Sequence, residues 1–159
     1  MSQAVKHFKF HGAMHTGTLL ADRLGAVLEE QPWLAGVEAL CPIPIHLTRL
    51  IDRGYNQSRV LADRLARIVK RPVMDLLTRD RATPDQVGLS ASARMENVKG
   101  VFSLRFRSPL SGASVCLVDD VMTTGATLAE AARTLRRAGA GKIYAAVLAK
   151  ADHTAYDGA

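Results

Sequence analysis

Two adjacent carboxylates and a run of small hydroxylated residues stand close together in this chain. Residues 114–127 read Ser-Val-Cys-Leu-Val-Asp-Asp-Val-Met-Thr-Thr-Gly-Ala-Thr. Asp119 and Asp120 can accept hydrogen bonds from two neighbouring sugar hydroxyls, or help hold a hydrated Mg²⁺. Thr123, Thr124, Gly125, Ala126 and Thr127 have the size and donor content of a phosphate cradle. Gly125 lets the backbone approach closely, and a helix N-terminus presents N–H groups and partial positive charge to an anion. A sugar carrying a terminal phosphate suits the whole stretch.

The flanking residues supply the elements that would position this chemistry. Val115, Cys116, Leu117 and Val118 form a short apolar, strand-forming run. The two Asp stand where that run is expected to end. After the loop, Leu128, Ala132 and Leu135 repeat with helical spacing. Strand, acidic pair, loop and helix follow in that order, and open α/β sheets bind ligands beyond the carboxyl ends of their strands. Two other readings use parts of this pattern. Paired Asp at a strand end also occur in ATPase-like and receiver-like acidic pockets, but the Gly-rich loop with its Lys and Ser or Thr that a P-loop ATPase needs is absent from the sequence. Thr-Thr-Gly alone is also an ordinary turn and helix cap.

Residues 117–127, Leu-Val-Asp-Asp-Val-Met-Thr-Thr-Gly-Ala-Thr, resemble the phosphoribosyl pyrophosphate (PRPP) motif of the type I phosphoribosyltransferases. The resemblance implies that Asp119 and Asp120 contact the ribose hydroxyls. It also implies that Thr123, Thr124, Gly125, Ala126 and Thr127 bind the 5-phosphate.

Composition bounds the rest. The chain has 159 residues and is 48% hydrophobic, enough for one domain with a sizeable core. No apolar run approaches a membrane span. Lys6, His7, Lys9 and His11 interrupt any apolar stretch near the start, so the expectation is a cytoplasmic protein. Cys41 and Cys116 both lie in apolar runs and are expected to pack in the core. The net charge is +6. Between Arg49 and Arg107 there are thirteen Lys or Arg against six Asp or Glu. That favours an anionic ligand, although a solubilising helix face around Arg59, Arg64 and Arg67 accounts for many of these charges.

Along the chain, residues 1–15 are hard to read, with Phe8 and Phe10 alternating with Lys9 and His11 as in a short edge element. Residues 16–30 have helical periodicity, stopped by Gln31-Pro32. Residues 37–45 are strand-like. A polar loop bearing His46, Arg49 and Arg53 follows, then an amphipathic helix over residues 56–69. Residues 73–78 and 101–106 read as strands. Between them lies a long loop from Arg79 that ends in one or two helical turns capped by Ser90. Gly139-Ala140-Gly141 ends the last helix, residues 143–149 form the closing strand, and residues 152–159 read as a frayed tail. The alternation predicts a mostly parallel sheet flanked by helices.

Pro42-Ile-Pro-Ile-His and Arg53-Gly-Tyr-Asn-Gln57 are similar to the ComF family, the competence-associated phosphoribosyltransferase homologues. So are Lys9-Phe-His-Gly12, residues 79–83, Gln86, Leu89, Arg94, Asn97 and Gly100-Val-Phe102. This resemblance covers almost the whole chain. It departs at one point: such proteins commonly begin with a four-cysteine zinc segment, and this sequence holds two cysteines.

The resemblance implies a single-domain α/β type I phosphoribosyltransferase fold over residues 1–159, with an opening segment at 1–15 and a flexible hood at 79–100. It implies a Mg²⁺- and PRPP-dependent transferase. The loop after the early strand would hold pyrophosphate through His46, Arg49 and Arg53. Arg79, Arg81, Gln86 and Arg94 would close over the ligand, with Arg79 and Arg94 joining Asp119 and Asp120 as the catalytic set. Expected partners are PRPP, a nitrogenous acceptor, a nucleic acid or competence protein, and a second copy of the chain. A non-catalytic PRPP or nucleotide sensor and a nucleic-acid-binding module stay open beside the enzyme.

Overall fold

The computed structural model describes residues 14–82, 91–106 and 110–151. Residues 1–13 of the opening segment, residues 83–90 with Gln86, Leu89 and the Ser90 cap, residues 107–109 and the 152–159 tail lie outside the described residues. In chain order the elements are helix α1 (Met14–Glu29), a 3-10 turn (Pro32–Gly36), strand β1 (Ala39–Pro42), helix α2 (Leu47–Arg53) and helix α3 (Gln57–Val69). They continue with β2 (Leu77–Arg79), α4 (Ala91–Val98), β3 (Phe102–Leu104), β4 (Val115–Met122), α5 (Ala126–Arg137) and β5 (Ile143–Lys150).

The main sheet has the order β1-β4-β5 and is parallel throughout. It separates two cores, and β4 feeds both by simple alternation. Cys116 and Val118 point into a cluster with Ala21 and Leu28 of α1 and with Leu61, Ala62 and Leu65 of α3. Val115 and Leu117 point the other way, toward Leu128, Ala131 and Leu135 of α5 and Leu77, Val98, Val101 and Phe102. A strand buried on both faces reads as a continuous apolar run, as this one does. Both cysteines are buried and free, in line with core packing. The predicted α/β fold with a mostly parallel, helix-flanked sheet is observed.

Three boundaries differ from the sequence reading. The strand expected over 115–118 continues to Met122, because β5 is equally long and pairs with Asp119, Val121 and Met122 through Val147, Ala149 and Lys150. Residues 73–78 do not form one strand. Val73 makes a single parallel bridge to Leu40, and Leu76 N–H then turns back onto the Met74 carbonyl. The chain leaves the main sheet there, and β2 pairs antiparallel with β3 in a separate small sheet.

The third difference concerns residues 47–53, expected as a loop and found as helix α2. His46 caps it, accepting from the Thr48 N–H at 3.3 Å, and Gly54 ends it in the left-handed conformation at φ 78°. None of its residues is buried, and Leu47 and Ile51 are exposed. A helix without a core face leaves no apolar periodicity to read.

Candidate active site

The sheet narrows where the acidic pair stands. β1 ends at Pro42, opposite Val118, so Asp119 and Asp120 lie one and two residues past the end of their neighbour, at the carboxyl end of the parallel sheet. Both are half-buried. Asp119 Oδ1 accepts from the Ser58 hydroxyl and from the Asp120 N–H, each at 2.9 Å. Asp120 Oδ1 accepts from the Val121 N–H at 2.7 Å.

Ser58 reaches Asp119 because the start of α3 is fixed from two sides. Asn56 is its cap, accepting from the Ser58 N–H at 3.1 Å. The Asn56 amide also donates to the Ile43 carbonyl at 3.0 Å, and Ile43 N–H bonds the Val118 carbonyl at 2.9 Å. One side chain thus ties the helix to the ends of β1 and β4. Sequence reasoning quoted Asn56 in a motif without giving it a role, and passed over Ser58. The signal available was an Asn-x-Ser cap at the start of an amphipathic helix.

Downstream of the acidic pair, residues 123–125 bend and α5 begins. Gly125 sits at its N-cap with φ 77°. Thr124 Oγ1 accepts from the Ala126 N–H at 3.4 Å. The first N–H groups of any helix lack intrahelical acceptors, so Thr123 to Thr127 surround the positive end of a twelve-residue helix. Gly125 meets the requirement for a left-handed residue at this turn.

Two arginines complete the arrangement. Arg79 ends β2, with its guanidinium 5.6 Å from the centroid of the Phe102 ring. Burial pulls Arg79 below the usual arginine range; the positive charge of Arg49 adds to this, and the Asp119 carboxylate opposes it. Charge effects of this kind fall off with distance, so α2 and β4 place Arg49 and Asp119 in the neighbourhood of Arg79. Arg53 follows one turn after Arg49 and is half-buried. His46 has Nδ1 engaged by Thr48, 2.9 Å from its hydroxyl. Arg94 falls in α4, and its side chain lies outside the described residues. Arg81 donates to the Lys99 carbonyl at 2.9 Å.

The 79–100 segment is not uniform. It begins as the end of β2, and its far end is helix α4 and a turn anchored on α5. The buried Glu130 accepts from the Gly100 N–H at 2.9 Å and pairs with Arg133. Of the basic residues on α3, Arg59 pairs with Asp63 and Asp75, and Arg64 pairs with Asp22. Part of the positive balance of the middle segment is therefore neutralised on the helix surface.

Among the described residues no group of three or more His, Cys, Asp or Glu could hold a metal by itself. Asp119 and Asp120 fit an ion that keeps waters and takes further oxygens from a substrate, the usual mode for Mg²⁺. Among the described residues no helix is long and apolar enough to cross a membrane.

The chain is similar to known proteins along most of its length. Residues 55–157 match the family model of the phosphoribosyl transferase domain. Competence protein F of Haemophilus influenzae is 35% identical over 95% of this chain and 68% of that protein. DNA utilization protein YhgH of Escherichia coli is 38% identical over 67% of this chain, and competence protein ComFC of Bacillus subtilis 32% over 63%. These matches span 46% and 39% of the two relatives, less than half of either. Among solved structures, a purine phosphoribosyltransferase from Pyrococcus horikoshii superposes with a TM-score of 0.52 at 20% identity, over 83% of this chain and 74% of that one, a likeness of fold. With an acidic pair at the carboxyl end of a parallel sheet and a glycine-started helix directly after it, the chain belongs to the phosphoribosyltransferase domain family, as a member of its ComF-type branch of competence and DNA-utilization proteins.

Proposed function

We propose that this domain binds PRPP with Mg²⁺ and transfers the phosphoribosyl group to a nitrogenous acceptor. The observation that carries this reading is the acidic pair Asp119 and Asp120 at the carboxyl end of the parallel sheet, directly before the Gly125 helix start, with Arg49 and Asp119 both near enough to act on the Arg79 charge. Asp119 and Asp120 accept from the ribose hydroxyls. The Thr123 to Thr127 turn holds the 5-phosphate at the positive end of α5. Arg49 and Arg79, with Arg53 one helical turn away, take the pyrophosphate through forked, charge-assisted bonds. Mg²⁺, when bound by the acidic pair and the ligand's oxygens, supplies further neutralisation of the leaving charge.

The transfer forms a bond from the acceptor nitrogen to C1 of the ribose and breaks the C1–O bond. Pyrophosphate leaves with the electron pair, and the acceptor's proton passes to solvent. Positive charge develops on the sugar ring, as in other glycosyl transfers. The residues act by position and electrostatics, and no covalent nucleophile is needed. The related proteins are named for competence and DNA utilization, and this is the biological setting of the proposal.

Calorimetric titration of PRPP with Mg²⁺, followed by a pyrophosphate-release assay across candidate bases, tests the proposal. Binding with release supports the transferase. Binding without release with any base makes the domain a sensor of PRPP. Absence of PRPP binding rules out both.

A further inference from the structure

Ser58 is buried, with 3% of its surface exposed. It shares a core-facing side of α3 with Leu61, Ala62 and Leu65, where an apolar residue would be the simpler choice. A buried hydroxyl needs a partner, and capping does not explain this one. The cap acceptor at the start of α3 is the Asn56 side chain, and it takes the Ser58 backbone N–H. The hydroxyl instead bridges 61 residues of sequence to Asp119 Oδ1 at 2.9 Å. That oxygen also accepts from the Asp120 N–H, so two donors from two elements converge on one carboxylate oxygen. Together they fix the carboxylate's rotation.

We propose that Ser58 is the positioning residue of Asp119: its hydroxyl orients the carboxylate so that it meets the ribose hydroxyls of a phosphoribosyl ligand. This rests on the PRPP reading above. Ser58 itself touches no ligand. Its contribution is preorganisation, since a carboxylate already aimed at the sugar loses less rotational freedom on binding. The device joins α3 to β4, so it also makes sugar recognition depend on the Asn56 tether that holds α3 against β1.

The test is calorimetry with ribose 5-phosphate, 2-deoxyribose 5-phosphate and inorganic phosphate on wild type, Ser58→Ala, Ser58→Thr, Asp119→Asn and the Ser58→Ala/Asp119→Asn double variant. Ser58→Ala is expected to weaken ribose 5-phosphate about tenfold, the scale of one hydrogen bond to a charged group. It should leave inorganic phosphate unchanged and erase most of the preference for ribose over deoxyribose. Ser58→Thr, which keeps the hydroxyl, restores that preference. In the Asp119→Asn background, Ser58→Ala adds nothing further. Unchanged ribose 5-phosphate affinity in Ser58→Ala overturns the assignment, as does an equal loss for both sugars, which marks a purely structural serine. Wild-type protein that binds neither sugar phosphate overturns the PRPP reading together with this one, whereas a variant indistinguishable from a binding wild type overturns this one alone.

Discussion

The Arg79 guanidinium lies 5.6 Å from the centroid of the ring of Phe102, its cross-strand partner in the β2–β3 pair. Phe102 is buried, so the stacking surface is rigid. A cation held over an aromatic face gains about 0.5–2 kcal/mol, depending on how far it is desolvated. Arg79 therefore stands on a strand pair and is placed before any ligand arrives. Replacing Phe102 by Leu keeps an apolar residue and removes the ring. The expected result is a several-fold loss of affinity for PRPP with ribose 5-phosphate unaffected, measured by calorimetry. Equal losses for both ligands would mean that Arg79 does not face the pyrophosphate.

The Arg49 charge bears on Arg79, and the proposed pyrophosphate site takes both. Each charge-assisted hydrogen bond contributes roughly 1.5–3 kcal/mol before solvent screening. Replacing Arg49 and Arg53 together by Ala is expected to weaken PRPP about a hundredfold, since 1.4 kcal/mol is roughly a factor of ten. Ribose 5-phosphate should hardly change. Arg49→Ala and Arg79→Ala should be non-additive in a double-mutant cycle. A variant that binds PRPP normally but loses a DNA duplex, with a shallower salt dependence, would assign these arginines to nucleic acid.

The acidic pair is half-buried, and it accepts hydrogen bonds from two backbone N–H groups and the Ser58 hydroxyl. Asparagine keeps a carbonyl oxygen for those donors while removing the charge. Asp119→Asn with Asp120→Asn is therefore expected to fold with a melting temperature within a few degrees of wild type and to lose PRPP binding. Unchanged PRPP affinity in the folded double variant would end the ribose assignment.

Two glycines separate strain from space. At Gly125 an added Cβ would find Met122 Sδ at 3.6 Å, an ordinary contact, so Gly125→Ala costs mainly the left-handed backbone, about 1–2 kcal/mol. For a domain of this size that is roughly 2–8 °C in melting temperature. At Gly141 a Cβ would stand 2.2 Å from the Gly112 carbonyl oxygen, and backbone must move. Gly141→Ala should lower the melting temperature by clearly more than Gly125→Ala, while Gly125→Ala alone should weaken inorganic phosphate. Differential scanning calorimetry and phosphate titration check the pair; a reversed order of stability loss would contradict it.

Burial pushes the Cys41 thiol up to about 11 and the Cys116 thiol up to about 12. Both folded values lie above the unfolded one, so the stability tied to the neutral thiols is complete below about pH 9 and is lost as pH rises toward the folded values. Neither cysteine should react with a thiol reagent at pH 8 until denaturant is added, and the denaturation midpoint should fall between pH 9 and 11. Rapid labelling of the native protein at pH 8 would contradict this placement.

Much of the α/β core was legible in the sequence, because its signals are local. The run from Val115 to Val118 is apolar on both faces of a strand, Leu61 and Leu65 fall on one side of a helix, and Asp119 to Thr127 carries carboxylates, glycine and threonines in one continuous stretch. What depended on partners was not legible. β4 runs on through Asp119 and Asp120 because β5 is there to pair with it. Helix α2 is set by a His46 cap and a Gly54 stop, with no buried face to betray it. The meeting of Arg49, Arg79 and Asp119, and the Ser58 hydroxyl on Asp119, join residues far apart in the chain. The sequence alone determined which groups are present and the period of the elements that carry them. Only the packing of α3 and the β2–β3 pair against β4 decided which groups meet, because such contacts arise from layers closing on a shared core and leave no periodic trace along the chain.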